Sequence, residues 1–447
     1  VAVEAAYYAG GPLPNAEVTW QVNASPTNYQ PPNWPEFTFG YWTPWWFYGF
    51  GGGGIGEKTL NFSGTTDATG VHYLQLDFES LEKPRPYSVL AEGTVMDVNR
   101  QAWTAMTDLI VHPAQLYVGM RTARYFVQQG DPLEVELIVT DLDGKPVTGQ
   151  EITAASARLE WKFQDGSWQE VEVDSQECRV QSEEEPVSCA FETDLGGRYQ
   201  ITAEIVDAEG RVNQSRITRW VSGGQLPPSR QLEQESVTLV PDRQEYQPGE
   251  TAEILVQAPF ESGEGLLTVG RSGLLFSEEF SFQDGSATLQ VPVEEKHIPN
   301  LHVQVDLVGS APRVDEQGEV LENVPDRPAF AVGQLDLEVP PLNRELEVEV
   351  VPRERELAPG GETVLDVKVQ DTAGKPVKEA ELAVVVVDEA ILALTNYQLS
   401  DPLAVFYRSR SKDYSSYYTR SSIQLASPQH LLDQAGNRPL PTMVVGK

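Results

Sequence analysis

The chain has 447 residues and carries 67 acidic against 32 basic side chains, a formal net charge of −35. This excess of negative charge argues against nucleic acid and anionic membranes as partners, because both are polyanions. The chain is too long for one hydrophobic core and fits three or four domains. With 36 glycines, 32 prolines and many short alternating runs, it has an all-β composition.

The sequence contains no recognisable signal peptide or membrane-spanning segment. The first residues, Val1–Glu4, lack the basic start and the cleavage site of a signal peptide. They are predicted to lie inside a domain whose opening strand precedes residue 1, so a leader or lipid anchor would precede it too. No apolar run approaches the roughly 20 residues of a membrane-spanning helix. We expect a periplasmic or extracellular protein, anchored through a lipid if one precedes this sequence.

The first predicted domain covers residues 1–113 and has an insertion at 29–56 that is rich in Trp, Tyr, Phe, Pro and Gly. No strand period runs through this insertion. Large aromatic side chains mostly supply buried area, so one interpretation is a long loop that packs on its own domain or on the next one. The other is a contact surface for a partner, because an exposed aromatic patch of this size would require a function.

The second predicted domain, 114–226, contains the two cysteines of the chain, Cys178 and Cys189. They flank an acidic, hairpin-like segment, 179–188, and two strands joined by it would bring the Cα atoms within disulfide reach. We expect a disulfide and hence an oxidising compartment. The alternative is two free thiols in a cytosolic protein. A metal site is not expected, because no further Cys and no nearby His complete one.

A repeated pattern runs through the chain. Gly130 and Gly144 are separated by 14 residues, as are Gly360 and Gly374, and each pair encloses an alternating strand that leads into a Gly-Lys-Pro-Val turn. Gly249 opens a further copy, 119 residues after Gly130 and 111 before Gly360. Such a period fits seven-stranded sandwiches of roughly 100 residues.

The repeat predicts a third domain at 227–341 and a partial fourth domain at 342–447. In the fourth domain, residues 364–370 alternate as a half-buried strand does. The continuous run Leu382–Val387 is predicted to be a strand that is covered on both faces.

The tail after Tyr407 is locally basic and rich in Tyr, with little periodicity and several Pro and Gly. Such a segment is expected to be mobile and accessible. Its Arg, Lys, Tyr, Phe and Leu bonds are those that common endoproteases cut. The alternative is a frayed terminus without function.

No catalytic or cofactor-binding motif is present. The chain lacks Gly-x-Ser-x-Gly, His-Glu-x-x-His and a phosphate-binding glycine loop. The histidines are scattered, and His297 and His302 are expected at strand or turn positions rather than as ligands. Residues 141–144 are interpreted as an Asp-Gly turn, because the later ligands of a calcium loop are missing. We expect no enzyme, no cofactor and no metal.

Two short runs resemble bacterial α2-macroglobulin: VDEAIL at 387–392 and SDPLAVFY at 400–407. The Pro-Gly-Glu openings, the GKPV turns and the aromatic segment at 25–40 are similar to that family as well. The resemblance covers essentially the whole chain, which would be one part of a family member. It implies an all-β fold, a tandem array of about four macroglobulin-like antiparallel sandwiches, of which the first and last are incomplete.

The resemblance also implies a function. Family members are broad-spectrum protease traps in which cleavage of a bait region triggers a rearrangement that confines the protease. The bait would begin after Tyr407, above all in the tail 426–447. The candidate cleavage residues for trypsin-like enzymes are Arg408, Arg410, Lys412, Arg420 and Arg438. The partners would be endoproteases, bound by a monomer that in this part contacts neither nucleic acid nor membrane.

Two questions stay open at this stage. The Cys-x-Glu-Gln thioester motif of many members is absent from this chain, and in the family it lies beyond the bait. The rival hypothesis is a structural or adhesive extracytoplasmic stalk of Ig-like sandwiches, an architecture that many surface proteins share. No calcium ligands recur at the predicted domain joints, which weakens that rival.

Overall fold

The computed structural model describes residues 1–8, 10–46, 58–77, 84–164, 167–224, 234–315, 320–322, 324–354, 356–358, 360–387, 400–417, 425–426 and 431. The chain divides into two compact units, Val1–Gly224 and Gln225–Lys447. Within the described residues the regular secondary structure of each unit is almost entirely β-strand, arranged in several sheets, so the predicted all-β fold is confirmed.

The strands of the first unit are Ala2–Glu4 (β1), Glu17–Pro26 (β2), Thr38–Phe39 (β3), Lys58–Thr65 (β4), Val71–Tyr73 (β5), Tyr87–Met96 (β6), Ala102–Val111 (β7), Leu116–Arg121 (β8), Phe126–Val127 (β9), Leu133–Asp141 (β10), Glu151–Gln164 (β11), Ser167–Gln181 (β12), Val187–Phe191 (β13), Gly197–Val206 (β14) and Val212–Val221 (β15). They form sheets with the orders β4-β2-β6-β7, β1-β5, β13-β10-β8-β3 and β12-β11-β14-β15-β9.

The first hydrophobic core lies on one face of the β4-β2-β6-β7 sheet. Val18, Trp20 and Val22 of β2 are buried, whereas the residues between them are exposed. Successive side chains of a strand point to opposite faces, so this alternation places one face of the sheet on the core and the other in solvent. Val3 and Leu74 pack against the same cluster.

A second core lies between the four-stranded and five-stranded sheets, and a disulfide joins these sheets at its edge. Cys178 of β12 and Cys189 of β13 are bonded, with their Cα atoms 6.1 Å apart. The predicted hairpin between the cysteines is wrong. β12 pairs with β11 and β13 pairs with β10, so the acidic segment crosses from one sheet to the other.

The described part of the aromatic insertion, residues 29–46, packs on the second sandwich. β3 pairs with β8 and extends its sheet. Phe37 and Phe39 form a small cluster with Tyr117 and Ile138, all at most 2% exposed. This arrangement matches the interpretation of a loop that packs on the next predicted domain. Residues 47–56 of the insertion lie outside the described residues.

The turn after β10 is held by the insertion. The Tyr29 hydroxyl donates to the Leu142 carbonyl at 2.6 Å, and Trp34 Nε1 donates to the Gly144 carbonyl at 2.9 Å. Gly144 has a φ of +76°, and a Cβ atom there would lie 1.9 Å from the Pro32 carbonyl oxygen. Glycine is therefore needed here both for its backbone angle and for the close approach of the insertion.

The strands of the second unit are Glu235–Ser236 (β16), Thr238–Pro241 (β17), Thr251–Gln257 (β18), Gly263–Arg271 (β19), Gly273–Phe282 (β20), Ser286–Pro292 (β21), Asn300–Ala311 (β22), Arg327–Glu338 (β23), Leu346–Pro352 (β24) and Leu365–Asp371 (β25). Pro402–Phe406 forms a short helix, α1, and 3₁₀ turns occupy Glu295–His297 and Leu342–Arg344. The sheet orders are β16-β23-β22-β19-β20, β17-β18-β21 and β24-β25.

The turns that follow β10 and β25 have the same fold. In each, the carboxylate of the last strand residue, Asp141 or Asp371, accepts hydrogen bonds from the backbone N–H groups two and four residues later. The Asp side chain is thus used by the turn itself. The sequence interval that defines the repeat therefore corresponds to one local structure.

The predicted buried strand Leu382–Val387 is wrong. These residues form no strand, and Val384, Val385 and Val386 are 61%, 79% and 82% exposed. Among the described strands, β24 and β25 pair only with each other, so no sheet receives the run. β-branched residues indicate strand propensity, but burial requires a partner surface, and the sequence pattern does not supply one.

Removal of the disulfide should destabilise the second sandwich. The cysteines are 11 residues apart, and closing a loop of that size in the unfolded chain corresponds to about 3 kcal/mol. Guanidinium unfolding of a Cys178→Ala, Cys189→Ala variant should show this loss relative to wild type. A reductant should shift the wild-type transition and leave that of the variant in place. Coincident curves for all samples would contradict the prediction.

Alanine substitutions at two equivalent turn glycines should have unequal effects. Gly144 and Gly374 have φ values of +76° and +73°, so alanine brings a backbone penalty of about 1–2 kcal/mol at each. No atom lies within 4 Å of a Cβ at 374, whereas the Cβ at 144 meets the insertion. Hydrogen exchange of residues 29–46 should therefore accelerate in Gly144→Ala and not in Gly374→Ala. Equal exchange in both variants would show that the insertion does not depend on this contact.

Candidate functional site

The structure brings three of the five predicted cleavage residues, Arg408, Arg410 and Lys412, into one segment of the second unit. Residues 407–417, called the docked segment below, follow helix α1 and contact the sheet of β19, β22 and β23. The side chains of Arg408 and Arg410 are exposed, and that of Lys412 is half-buried. Arg420 and Arg438 lie outside the described residues.

Helix α1 sets the start of the docked segment. Asp401 is its N-cap, with Oδ1 accepting a hydrogen bond from the Leu403 N–H at 2.9 Å, and Pro402 occupies the first turn. The Tyr407 N–H donates to the Leu403 carbonyl at 2.8 Å and closes the last turn. The Ser-Asp-Pro-Leu sequence at 400–403 thus forms the beginning of helix α1.

Strand β22 presents buried polar side chains to the docked segment. Asn300, His302 and Gln304 occupy alternate positions, so they lie on one face of the sheet, and they are 3%, 8% and 2% exposed. The aliphatic residues between them are buried on the opposite face. Buried polar groups in folded proteins are almost always hydrogen-bonded, so this row requires partners outside its own strand.

Asn300 binds the backbone of Arg410 at two points. The Arg410 N–H donates to Asn300 Oδ1 at 2.8 Å, and the Arg410 carbonyl accepts from Asn300 Nδ2 at 3.0 Å. His302 Nε2 lies 2.8 Å from the same carbonyl oxygen. The side-chain amide of Asn300 thus binds both the N–H and the carbonyl of residue 410, as the backbone of a neighbouring strand does. These two hydrogen bonds fix the position of residue 410 beside Asn300 of β22.

Further contacts follow the segment along the sheet. Lys412 Nζ donates to Gln334 Oε1 at 3.0 Å, and Gln304 Nε2 donates to Ser416 Oγ at 3.2 Å. Gln334 and Gln304 are register partners on β23 and β22, and they are joined by a hydrogen bond of 3.3 Å. The two glutamines therefore connect Lys412 and Ser416 of the docked segment through one amide network.

Tyr414 packs its ring on Gly270 of β19. A Cβ atom at 270 would lie 2.2 Å from Tyr414 Cε1, so the ring occupies space that other residues would fill. Burial raises the pKa of the Tyr414 phenol, and its hydroxyl has no hydrogen-bond partner among the described residues. Tyr414 and Lys412 help to line a cavity of about 240 Å³ over β22 and β23.

His302 faces a hydrogen-bond acceptor at each ring nitrogen. Nδ1 lies 2.5 Å from Asp336 Oδ1, and Nε2 faces the Arg410 carbonyl. The hydrogen bond to Asp336 raises the pKa of His302 above its ordinary value against the opposing effect of burial. The Arg410 carbonyl raises this pKa as well, and the Lys412 ammonium lowers it. The imidazolium has two N–H donors and satisfies both acceptors, whereas neutral imidazole has one.

The geometry requires one correction and adds residues that the sequence does not reveal. The tail is expected to be mobile, yet backbone and side-chain hydrogen bonds hold residues 410–416 on the sheet. His302 lies in a strand, as expected, but it also contacts the docked segment. Asn300, Gln304, Gln334 and Asp336 are found only from the structure. The one signal for Asn300 and Gln304 is the alternation of polar residues along 300–304.

The site has the chemistry of peptide binding. It offers the amide of Asn300 and the imidazole of His302 to a polypeptide backbone, and the amide of Gln334 to one lysine. Among the described residues, no group of three or more His, Cys, Asp or Glu could hold a metal ion.

Comparison with known proteins identifies related sequences. Residues 237–394 match the family model described as "Alpha-2-macroglobulin bait region domain", which covers β17 to β25 and ends before Arg408. An alpha-2-macroglobulin homolog of Nostoc sp. is 25% identical over 408 residues, which are 88% of this chain and 20% of the relative. The alpha-2-macroglobulin of Xylella fastidiosa is 24% identical over 435 residues, 93% of this chain and 25% of the relative.

Among solved structures, the native conformation of Escherichia coli alpha-2-macroglobulin aligns with 99% of this chain and 29% of its own, at 18% identity and a TM-score of 0.38. The chain thus spans about a fifth to a quarter of the length of these two curated relatives.

Alanine at position 270 should release Tyr414. Its Cβ would overlap the tyrosine ring and would also lie 2.9 Å from the Gly273 carbonyl oxygen, a conflict that corresponds to about 1–3 kcal/mol. Chymotrypsin should therefore cleave after Tyr414 roughly tenfold faster in Gly270→Ala than in wild type. Gly273→Ala is the control, because it strains the same hairpin without reaching Tyr414. Equal rates in wild type and Gly270→Ala would contradict the packing.

Proposed function

Because the chain belongs to the α2-macroglobulin family, we propose that it is part of a broad-spectrum protease inhibitor whose bait region includes the docked segment. The observation that carries the proposal is the position of the basic residues. Arg408, Arg410 and Lys412 follow shortly after the residues that match the bait region domain, and both arginine side chains are exposed. Proteases of trypsin specificity would recognise side chains that are presented in this way.

In this proposal the chain is a substrate and scaffold, not an enzyme. The docked segment and the tail beyond it offer bonds to a protease, and cleavage separates the segment from the parts of the protein that follow it. The rearrangement that confines the protease belongs to the whole protein, of which this chain is a part. No cofactor or metal enters this mechanism, and endoproteases are the partners.

We further propose the setting in which the chain acts. The Cys178–Cys189 disulfide supports an oxidising, periplasmic or extracellular compartment. Among the described residues, no helix is long and apolar enough to cross a membrane. The repeat supports four macroglobulin-like domains at 1–113, 114–226, 227–341 and 342–447, in a monomeric chain.

The proposal predicts where unrelated proteases cut first. Limited digestion of the full-length protein with trypsin, elastase and thermolysin, whose preferred residues all occur between 400 and 447, should give early cuts in this region. Residues 1 to about 400 should remain intact, because ordered sheets resist proteolysis. Each protease should then lose activity towards large protein substrates and keep it towards small peptides. Early cuts scattered over the sheets, or a protease that remains active on proteins after cleavage, would contradict the proposal.

Two variants that lose the same number of positive charges test whether cleavage of the candidate bait residues is required for trapping the protease. A variant with Gln at the five candidate positions, Arg408, Arg410, Lys412, Arg420 and Arg438, should escape trypsin cleavage and trapping while elastase is still trapped. The control replaces exposed basic residues elsewhere, namely Lys58, Arg100, Lys375, Arg179 and Lys145, and should trap both proteases as wild type does. Loss of elastase trapping in the first variant would point to a folding defect rather than to the bait.

A further inference from the structure

We infer that Asn300 and His302 form a clamp on the backbone of Arg410 and that this clamp decides which bait bond a trypsin-like protease cuts first. The inference rests on the proposed function, because it concerns the choice among bonds of the proposed bait. It assigns a specificity-determining role to two residues of β22 that lie more than a hundred positions before the bond they control.

The clamp occupies the groups that a protease must bind. A serine protease holds the carbonyl oxygen of the scissile residue in an oxyanion hole, where donors lie about 3 Å from it. At Arg410 this oxygen already accepts hydrogen bonds from Asn300 Nδ2 at 3.0 Å and faces His302 Nε2 at 2.8 Å. The N–H of Arg410 is also engaged, by Asn300 Oδ1 at 2.8 Å. The bond between Arg410 and Ser411 is therefore protected while the segment is docked.

Arg408 differs from Arg410 although it lies only two residues away. It is exposed and makes no hydrogen bond to the sheet within the described part of the chain. The bond between Arg408 and Ser409 has the same chemistry, Arg followed by Ser, as the bond between Arg410 and Ser411. A free peptide of this sequence has no clamp at either bond. A larger share of cuts after Arg408 in the protein than in the peptide is therefore due to the clamp.

The protonation state of His302 sets the strength of the clamp. Its two nitrogens face the Asp336 carboxylate and the Arg410 carbonyl, and the imidazolium donates to both. In neutral imidazole one nitrogen lone pair is directed at an acceptor oxygen. Among the described residues, the other charged or titratable groups near the clamp are Lys412 and Tyr414 of the docked segment and Arg271 of β19. Burial lowers the pKa of Arg271, and the nearby Arg410 guanidinium lowers it further.

The sign of the pH dependence follows from this geometry. Docking favours the charged ring, so the pKa of His302 is higher in the docked state than in the released state. The contribution of His302 to docking is complete below the pKa of the released state and disappears as the pH rises through the raised pKa of the docked state. Arg410 should be most protected at acidic pH and become available as the pH rises.

The experiment uses the full-length protein and trypsin at low enzyme ratio. Mass spectrometry quantifies the first cuts after Arg410 and after Arg408 at pH 6.0 and at pH 8.5, and a synthetic peptide of residues 400–417 provides the reference at each pH. The ratio of the two cuts cancels the pH dependence of trypsin itself. In the protein at pH 6.0 the Arg410 to Arg408 ratio should be about tenfold lower than in the peptide. At pH 8.5 it should rise towards the peptide value without reaching it, because the contribution of His302 is lost and the hydrogen bonds of Asn300 remain.

Two variants separate the parts of the clamp, and one controls for loss of a histidine. Asn300→Ala should bring the ratio close to that of the peptide at both pH values. His302→Gln, which stays neutral, should give one ratio at both pH values. His112→Gln removes a partly buried histidine of the first unit and should follow wild type. Hydrogen exchange of β22 shows whether the sheet is retained in each variant. If Asn300→Ala loses the sheet, it is replaced by Asn300→Asp, whose charged carboxylate cannot donate a hydrogen bond to the Arg410 carbonyl.

Each outcome decides between the clamp and its failure. A wild-type ratio equal to that of the peptide at pH 6.0, or an Asn300→Ala ratio equal to that of wild type, would overturn the clamp. Protection that is the same at both pH values would overturn the role of His302. If trypsin is captured after cutting between 400 and 447 and the ratio matches the peptide, the clamp alone fails. If trypsin makes no early cut in this region, the proposed function fails together with the clamp.

Discussion

Strand β22 has buried polar side chains, and buried polar groups require hydrogen-bond partners. Asn300, His302 and Gln304 lie on a face that is covered, and each would lose about 1–3 kcal/mol if it were buried without a partner. The backbone of Arg410 and the hydroxyl of Ser416 supply such partners. The polar face of the sheet therefore holds this segment of the chain, and the segment in turn supplies the hydrogen-bond partners that the buried side chains need.

The same sheet contains a buried polar contact of another kind. The guanidinium of Arg327 on β23 donates to both carboxylate oxygens of Glu235 on β16, at 2.9 and 3.0 Å, and both side chains are almost fully buried. Both partners lie within paired strands, so this contact persists as long as the sheet does. The backbone of Arg410, which binds Asn300 and one ring nitrogen of His302, lies instead on a segment without regular secondary structure. The first contact stabilises the fold, whereas the second can be released without unfolding the sheet.

The sequence predicts those features that depend on local periodicity or turn chemistry. The strands β10, β18 and β25 and the Asp-Gly turn at 141–144 follow from alternation and from the position of Gly, Asp and Pro. The bond between Cys178 and Cys189 follows from their spacing. The crossing of the acidic loop between two sheets does not, because a hairpin and a crossover have the same local sequence.

Features that depend on a distant partner are not predicted. Val384 to Val386 have the composition of a buried strand, yet no described strand pairs with them and they are exposed. His302 is predicted only as a strand or turn residue, because its two hydrogen-bond partners lie 34 and 108 residues away in the sequence. Arg408 and Arg410 have the same residue type and neighbours of the same kind. Only the docked geometry distinguishes their peptide bonds.

In the proposed function the docked segment is part of a bait, which must be held in the intact protein and still be available to a protease. The contacts of the docked segment fit both requirements. A hydrogen bond in a folded protein contributes about 0.5–1.5 kcal/mol net, so the few bonds at Arg410, Lys412 and Ser416 correspond to opening free energies of a few kcal/mol. The open state is then populated at roughly one part in a hundred or a thousand, and cleavage follows that population when opening is fast. Because one partner in this small set is an imidazole, a change of about one pH unit near its pKa alters the open population without any change in the sheets beneath. In the proposed clamp, the bond after Arg410 is therefore the one whose cleavage responds to pH, and the bond after Arg408 is the one that stays accessible to a protease at every pH.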